Sequence, residues 1–146
     1  MAGVSDPFRH TVRVRYSECD LQGVVFNANY LTYVDDAVTE LWRTVLPDGY
    51  AGMVDAGVDL VVGEAALRYL APARFDDHLD LELTITRLGT TGMTTEVRIA
   101  RGGQTLTEVT LRHVFVTAGE GAKTPIPDDI RAALEPFSSA DPAPGG

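Results

Sequence analysis

Hydrophobic and polar residues alternate over Thr11–Tyr16, and this alternation predicts a half-buried strand with Val12, Val14 and Tyr16 facing inward. From Asn29 to Val45 the spacing changes to that of an amphipathic helix. The apolar stripe of that helix is Tyr30, Val34, Ala37, Leu41 and Val45. Asn27 or Asn29 is suited to cap the start of the helix, and Pro47 and Gly49 are suited to end it.

Alternation returns after a loop rich in Gly and Asp and continues through four strand-like segments. These segments are Val58–Arg68, Leu79–Thr86, Thr94–Arg101 and Thr107–Thr117. The residues at 89–92 and 102–103 contain paired glycines and predict hairpin turns between the later strands. A short helix is predicted over 127–134, with Pro127 or Asp128 in its first turn.

One strand, one long helix and a run of antiparallel strands predict an α+β domain. The apolar face of the helix and that of the sheet must bury each other, which gives a helix against a curved antiparallel sheet of five or more strands. We expect residues 1–137 to form a single domain. Residues 138–146 consist of Ser, Ala, Asp, Pro and Gly, and we expect a disordered tail there.

Composition narrows the classes of function. The chain has 146 residues and a formal net charge of −9, which argues against general nucleic-acid binding. Cys19 is the only cysteine, so neither an intrachain disulfide nor a cysteine-rich zinc site is expected. No apolar run approaches the ~20 residues that span a bilayer, and the N-terminus lacks the apolar segment of a signal peptide, so we expect a cytoplasmic protein.

Asp20 is the most informative residue for chemistry. It lies in a Gly-containing loop between the first strand and the long helix. A helix N-terminus offers free backbone N–H groups and positive dipole, and a carboxylate beside it can act as a base or nucleophile. The alternative is an aspartate that only stabilises a turn. Cys19 lacks a neighbouring histidine and is not expected to be a nucleophile.

The same stretch resembles a known family. Tyr16 precedes Asp20 by four residues, and Gly23 follows Asp20 by three. The start of the predicted helix reads Asn27-Ala28-Asn29-Tyr30-Leu31. The segments 68–73, 76–77 and 124–127 continue the likeness, which spans about residues 9–134. This pattern resembles the 4-hydroxybenzoyl-CoA thioesterase-like branch of hotdog-fold acyl-CoA thioesterases, which includes the Tol-Pal-associated thioesterases. The resemblance implies a long central helix wrapped by the sheet.

The resemblance also implies catalytic roles. Asp20 matches the catalytic acid, which either attacks the thioester carbonyl or activates water, while backbone N–H groups near Phe26 and Asn27 polarise that carbonyl. Many relatives carry histidine where this chain has Asn27. Asparagine cannot transfer protons near neutral pH, so an Asp-only scheme is expected, with Asn27 as helix cap or substrate contact. If Asp20 is not the catalyst, Asp35 or Glu40 on the helix is the next candidate.

Substrate contacts follow from the same likeness. Tyr16 is either an inward core residue or a hydroxyl that positions Asp20, and Gly23, Phe26 and Tyr30 are expected around the acyl group. Coenzyme A phosphates need cations, and the available arginines are Arg68, Arg74, Arg87 and Arg101. His113 lies on an apolar strand face and is interpreted as a satisfied core or interface residue, while His78 is expected in a solvated turn. No metal site is expected.

These features predict an acyl-CoA thioesterase that needs no cofactor, since coenzyme A is part of the substrate. Two alternatives stay open: a non-catalytic protein that binds acyl thioesters, and a thioesterase acting on acyl carrier protein. A dehydratase would need an Asp–His pair, which the motif lacks. Relatives place their sites between subunits with joined sheets, so we expect a homodimer or homotetramer.

Overall fold

The computed structural model describes residues 6–139 and contains five strands and three α-helices within that range. The strands are β1 (Phe8–Arg13), β2 (Val58–Tyr69), β3 (His78–Leu88), β4 (Gly92–Arg101) and β5 (Gln104–Thr117). The helices are α1 (Asn29–Val45), α2 (Gly49–Asp55) and α3 (Asp128–Leu134), with 3-10 turns at Tyr16–Glu18 and Glu135–Phe137. The long helix, the strand run and the short terminal helix predicted from the sequence are therefore confirmed.

The strands form one antiparallel sheet in the order β1-β3-β4-β5-β2. Strands β3, β4 and β5 are consecutive and joined by the two glycine turns that the sequence predicts. Strands β1 and β2 lie at opposite edges, and each pairs with a strand far along the chain: Phe8 with Leu83, and Val58 with Thr117. The sheet therefore has a local centre and two distant edges.

The alternating residues of the sheet bury one face against α1. On β3, the inward residues Leu79, Leu81, Leu83 and Ile85 have no solvent exposure. Leu41 and Trp42 of α1 are equally enclosed, and the Trp42 ring meets Phe115 of β5 edge-on at 6.5 Å. Because helix and sheet share this core, the N-terminal end of α1 is held in a fixed position relative to the preceding loop.

Strand β1 ends earlier than the alternation predicts. After Arg13 the chain turns, and the side chain of Glu18 accepts a 2.8 Å hydrogen bond from the backbone N–H of Arg15, which closes a 3-10 turn. Tyr16 therefore points outward and is 82% exposed, with its ring edge-on to Phe75 at 6.1 Å. The interpretation of Tyr16 as an inward core residue is wrong, because the strand stops before it.

The predicted loop after α1 contains helix α2. Gly49 begins it with a positive φ of 63°, a conformation that glycine adopts without strain. Met53 turns inward and is buried, which ties this short helix to the core. Its glycines and short length gave no helical period in the sequence, and packing rather than propensity stabilises it.

The C-terminal segment returns to the sheet. Arg131 of α3 donates hydrogen bonds to the carbonyl oxygens of Leu88 and Gly89 at the β3–β4 turn. Ser138 forms a bridge with Ile85, and the N–H of Ser139 donates to the Ile85 carbonyl at 2.9 Å. The predicted tail thus begins against β3, and its residues 140–146 lie outside the described range. None of the helices within residues 6–139 is long and apolar enough to cross a bilayer.

Candidate active site

Asp20 occupies the first position of a tight turn. Its Oδ1 accepts a 2.8 Å hydrogen bond from the N–H of Gln22, and its carbonyl accepts one of 3.0 Å from Gly23. Gly23 has a φ of 77°, and a Cβ there would meet no atom within 4 Å, so glycine serves the backbone conformation rather than a close approach. Within residues 6–139, no hydrogen bond reaches the Oδ2 atom of Asp20, which leaves one oxygen free for chemistry.

Backbone hydrogen bonds fasten this loop on both sides. The N–H of Val25 donates to the carbonyl of Ala73 at 2.8 Å, and Val24 forms a bridge with Arg74. Cys19 pairs with Val25 across the turn, and its thiol lies 3.9 Å from the Arg15 carbonyl. The segment around Ala73 therefore pairs with one side of the connection between β1 and α1, residues 14–28, which is called the Asp20 loop below.

The entrance to α1 exposes two backbone N–H groups. The N–H of Phe26 already donates to the carbonyl of Glu18 at 3.0 Å, so it is not available to donate a hydrogen bond to the carbonyl oxygen of a substrate. The N–H of Asn29 donates to the Phe26 carbonyl at 2.8 Å. In the described part of the chain, the N–H groups of Asn27 and Ala28 have no acceptor. The open donors thus lie one and two residues beyond Phe26.

Neither asparagine caps α1. The residue at the cap position is Ala28, which supplies no side-chain hydrogen bond, so the expected capping role of Asn27 or Asn29 is wrong. The Asn29 side chain instead donates to the Glu18 carbonyl at 2.8 Å. Asn27 is exposed, and its carbonyl accepts a hydrogen bond of 3.1 Å from the Tyr69 hydroxyl.

Glu18 is a site residue that the sequence did not single out. Its Oε1 accepts from the Tyr33 hydroxyl at 2.8 Å, and its Oε2 accepts from the Arg15 guanidinium at 3.0 Å. Burial favours the protonated carboxyl, but the hydrogen bonds from Arg15 and Tyr33 outweigh it and hold the Glu18 pKa below its usual range. Burial and the neighbouring Glu18 raise the pKa of Tyr33. A helical residue fifteen positions away supplies the partner, so no local pattern reveals it.

The aromatic candidates separate into buried and exposed residues. Tyr30 is buried, and its hydroxyl accepts a 3.0 Å hydrogen bond from the Ala73 N–H. Burial raises its pKa. Its ring meets Tyr69 edge-on at 5.5 Å. Phe26 is 49% exposed beside the open donors. The hydroxyl of Tyr30 is thus committed to the core, while Phe26 remains accessible to a ligand.

The four candidate arginines have different environments. Arg101 binds Asp77 at 2.6 Å, and Arg68 lies 3.6 Å from Glu108. Burial opposes ionisation of Asp77, but the Arg74 N–H and the Arg101 guanidinium hold its pKa low. The side chains of Arg74 and Arg87 are exposed and have no ion pair inside the described range. Only Arg74 also bridges the Asp20 loop through its backbone.

The histidines lie in other surroundings. His113 is buried with 5% exposure, and its Nδ1 has no hydrogen-bond partner in the described residues. Burial lowers its pKa. It lines a cavity of about 290 Å³ with Asp35 and Tyr50, among others. The interpretation of His113 as buried is confirmed, but its Nδ1 is unsatisfied. His10 binds Asp36 at 2.7 Å, and His78 lies 2.6 Å from an Arg13 nitrogen at the start of β3.

Comparison with known proteins identifies the family. A family model described as the thioesterase-like superfamily matches residues 14–134. The chain therefore belongs to the thioesterase-like superfamily, and it is a thioester hydrolase. The interpretation as a non-catalytic binding protein is accordingly set aside.

Individual relatives agree with this assignment. An acyl-CoA thioester hydrolase of Escherichia coli O6:H1 is 36% identical over 99 residues, covering 68% of this chain and 73% of the relative. An acyl-CoA thioesterase of Haemophilus influenzae is 29% identical over 127 residues, covering 87% and 93%. A solved structure from Thermus thermophilus, described as a hypothetical protein, is 30% identical with a TM-score of 0.81 and covers 88% of this chain and 98% of its own.

Proposed function

We propose that the protein hydrolyses acyl-CoA thioesters with the carboxylate of Asp20 as nucleophile or general base. The observation that carries this proposal is the arrangement of Asp20. One of its oxygens is held by the turn and the other has no partner among residues 6–139, and the same loop leads directly into two open backbone N–H groups. Bacterial relatives named as acyl-CoA thioesterases support the choice of substrate.

Hydrolysis requires attack on the thioester carbonyl carbon and departure of the thiolate. As general base, Asp20 takes a proton from water while the water oxygen bonds to carbon, and the tetrahedral intermediate then expels sulfur. As nucleophile, Asp20 forms a mixed anhydride that water cleaves in a second step. Both routes give the free acid and the thiol, and neither needs a cofactor.

The developing negative charge on the carbonyl oxygen needs donors that are already oriented. The N–H groups of Asn27 and Ala28 meet this need, since they stand at the positive end of α1 and have no acceptor in the described chain. Loss of one such donor typically costs about 3 kcal/mol of barrier. Phe26 contributes its exposed ring to the acyl group rather than its N–H. Asn27 therefore acts through its backbone, because its side-chain amide neither gains nor loses a proton near neutral pH.

The thiol carrier is coenzyme A in this proposal, with acyl carrier protein as the alternative. Arg74 is the arginine best placed for a phosphate, because it is exposed, lacks an ion pair within residues 6–139 and bridges Val24. Arg68 and Arg101 are engaged by acidic side chains. Arg87 lies at the far end of β3, away from the bridge.

The assembly and the finer classification belong to the same proposal. We place the protein in the Tol-Pal-associated branch with the hotdog arrangement, in which the sheet wraps the central helix, and in the cytoplasm. Strand β2 is a sheet edge whose Val61 and Val62 are 48% and 56% exposed, which supports a homodimer or homotetramer formed through joined sheets.

The first experiment is hydrolysis of short, long and aromatic acyl-CoAs, followed with a thiol-trapping dye, for the wild type and Asp20→Asn. The expected result is activity on part of the panel and a loss of about 100-fold or more in the variant. Full activity in Asp20→Asn would overturn the mechanism and direct attention to Asp35 or Glu40. If the wild type hydrolyses acyl thioesters of acyl carrier protein but none of the acyl-CoAs, the thiol carrier is acyl carrier protein and not coenzyme A.

A further inference from the structure

Glu18 is hydrogen-bonded through both its carboxylate and its backbone carbonyl. Its carboxylate accepts hydrogen bonds from the Arg15 N–H, the Arg15 guanidinium and the Tyr33 hydroxyl. Its backbone carbonyl accepts from the Phe26 N–H at 3.0 Å and from the Asn29 side chain at 2.8 Å. One residue thus connects the 3-10 turn, the loop exit and the first two turns of α1.

These contacts stand on both sides of the proposed chemistry. Glu18 precedes Asp20 by two residues, and Phe26 precedes the open N–H of Asn27 by one. The bond between the Glu18 carbonyl and the Phe26 N–H therefore fixes the separation between the carboxylate and the donors. Tyr33 is 4% exposed and lies on α1, so its side chain is held by the core of the domain. Its hydrogen bond to Glu18 therefore anchors the loop to that core.

The Glu18 side chain is suited to this task. It is 11% exposed, and each of its oxygens has a donor, so an ionised carboxylate is stabilised in a partly buried place. A merely solubilising glutamate would extend into water. The partners lie at 2.8–3.1 Å, within the normal range for hydrogen bonds.

We propose that Glu18 is a positioning residue for hydrolysis, which holds Asp20 and the open N–H groups at the entrance of α1 in register through Tyr33 and Arg15. The inference rests on the proposed role of Asp20. It makes a separate claim, because the hydrogen bonds of the Glu18 carboxylate in the described residues go to Arg15 and Tyr33 and none goes to Asp20. Misplacement of a reacting group by about 1 Å can cost about 100-fold in rate.

The test compares Glu18→Ala and Glu18→Gln with the wild type in kcat, KM and thermal midpoint. We expect kcat to fall about 100-fold in Glu18→Ala while KM stays unchanged. Glu18→Gln keeps an acceptor for Tyr33 and is expected to recover part of the rate. Tyr33→Phe removes the hydroxyl alone and is expected to lower kcat with KM unchanged. If Glu18→Ala fails to fold, Glu18→Gln and Tyr33→Phe carry the test.

Glu82→Gln is the matched control. Glu82 is also a partly buried carboxylate with two arginine partners, Arg9 and Arg98, but it lies on the sheet. We expect its variant to change the thermal midpoint without changing kcat. If Glu82→Gln and Glu18→Gln lower kcat equally, the effect of Glu18 is general stability and the proposal is wrong.

A double-mutant cycle separates this inference from the proposed function. If Glu18 acts by positioning Asp20, the fall in kcat caused by Glu18→Ala is smaller in the Asp20→Asn background than in the wild type. Fully additive losses would show that Glu18 acts independently of Asp20 and would overturn the positioning role. Full activity in Asp20→Asn would instead defeat the proposed role of Asp20, on which the positioning role rests, whereas wild-type kcat in Glu18→Ala would defeat only the positioning role.

Discussion

The Oδ1 atom of Asp20 accepts a 2.8 Å hydrogen bond from the backbone N–H of Gln22, so the proposed catalytic carboxylate also stabilises its own turn. The turn-stabilising interpretation and the catalytic one are therefore compatible, because each uses a different oxygen. This geometry makes the choice of substitution decisive in any mutational test of the site.

Asp20→Asn and Asp20→Ala are expected to be equally inactive but unequally stable. The amide oxygen of asparagine still accepts from Gln22, whereas alanine leaves that N–H without its partner at a cost of about 1 kcal/mol. Both remove the carboxylate and lower the hydrolysis rate about 100-fold or more. Thermal melts and dye-coupled assays on the same preparations check this, and equal stability of the two variants would contradict the role of Oδ1.

Gly23→Ala is expected to destabilise the protein and slow hydrolysis. The φ of 77° at this position costs a residue with a Cβ about 1–2 kcal/mol, although the added methyl meets no atom within 4 Å. The control is Gly63→Ala in β2, where φ is not in the left-handed region and the nearest atom to a Cβ is a Val114 methyl at 3.4 Å. Denaturant unfolding measures both variants, and a larger loss in Gly63→Ala would refute the conformational argument.

Arg74→Ala is expected to raise KM for acyl-CoA about tenfold, the size expected when one charge-assisted hydrogen bond is lost, with little change in kcat. The effect should vanish for an acyl-pantetheine thioester, which lacks the nucleotide phosphates. Arg112→Ala is a suitable control, because Arg112 is likewise exposed but lies on β5, outside the segment that bridges the Asp20 loop. An equal KM increase on both substrates would show that Arg74 shapes the loop instead of binding phosphate.

His113 is expected to make folding stability depend on pH. Burial lowers its pKa in the folded protein, so the unfolded chain binds a proton more readily, and stability falls as the pH drops below about 6.5. His113→Leu removes both this dependence and the unsatisfied Nδ1, so the variant should lose less stability between pH 8 and pH 5.5. Because every other titratable group is present in both proteins, the difference between the two unfolding curves isolates His113. Parallel curves would contradict the prediction.

Periodicity revealed the parts of the fold that repeat along the sequence. The alternation of β3 to β5 and the apolar stripe of α1 predicted elements that the structure contains, because side-chain burial there follows the backbone period. Tyr16 was misplaced because its alternation continues past the true end of β1. Helix α2 was not predicted, because it is short, contains two glycines and shows no helical period of apolar residues.

The site was only partly predictable for a related reason. Asp20 and Gly23 are neighbours in sequence, so a local motif indicates them. The link from Glu18 to Tyr33 and that from Val25 to Ala73 join distant segments, and no single-sequence pattern contains such pairs. The occupied N–H of Phe26 likewise depends on how the loop closes onto Glu18.

The strand order has a consequence for how the chain folds. The central strands β3, β4 and β5 follow one another through short turns, so they can pair as soon as they are synthesised. The first strand must wait for β3, and β2 must wait for β5, since Val58 pairs with Thr117. Closing these long loops is the slow part of acquiring the native topology. The Asp20 loop, which follows β1, is therefore expected to reach its final conformation only after ribosomal synthesis of most of the chain.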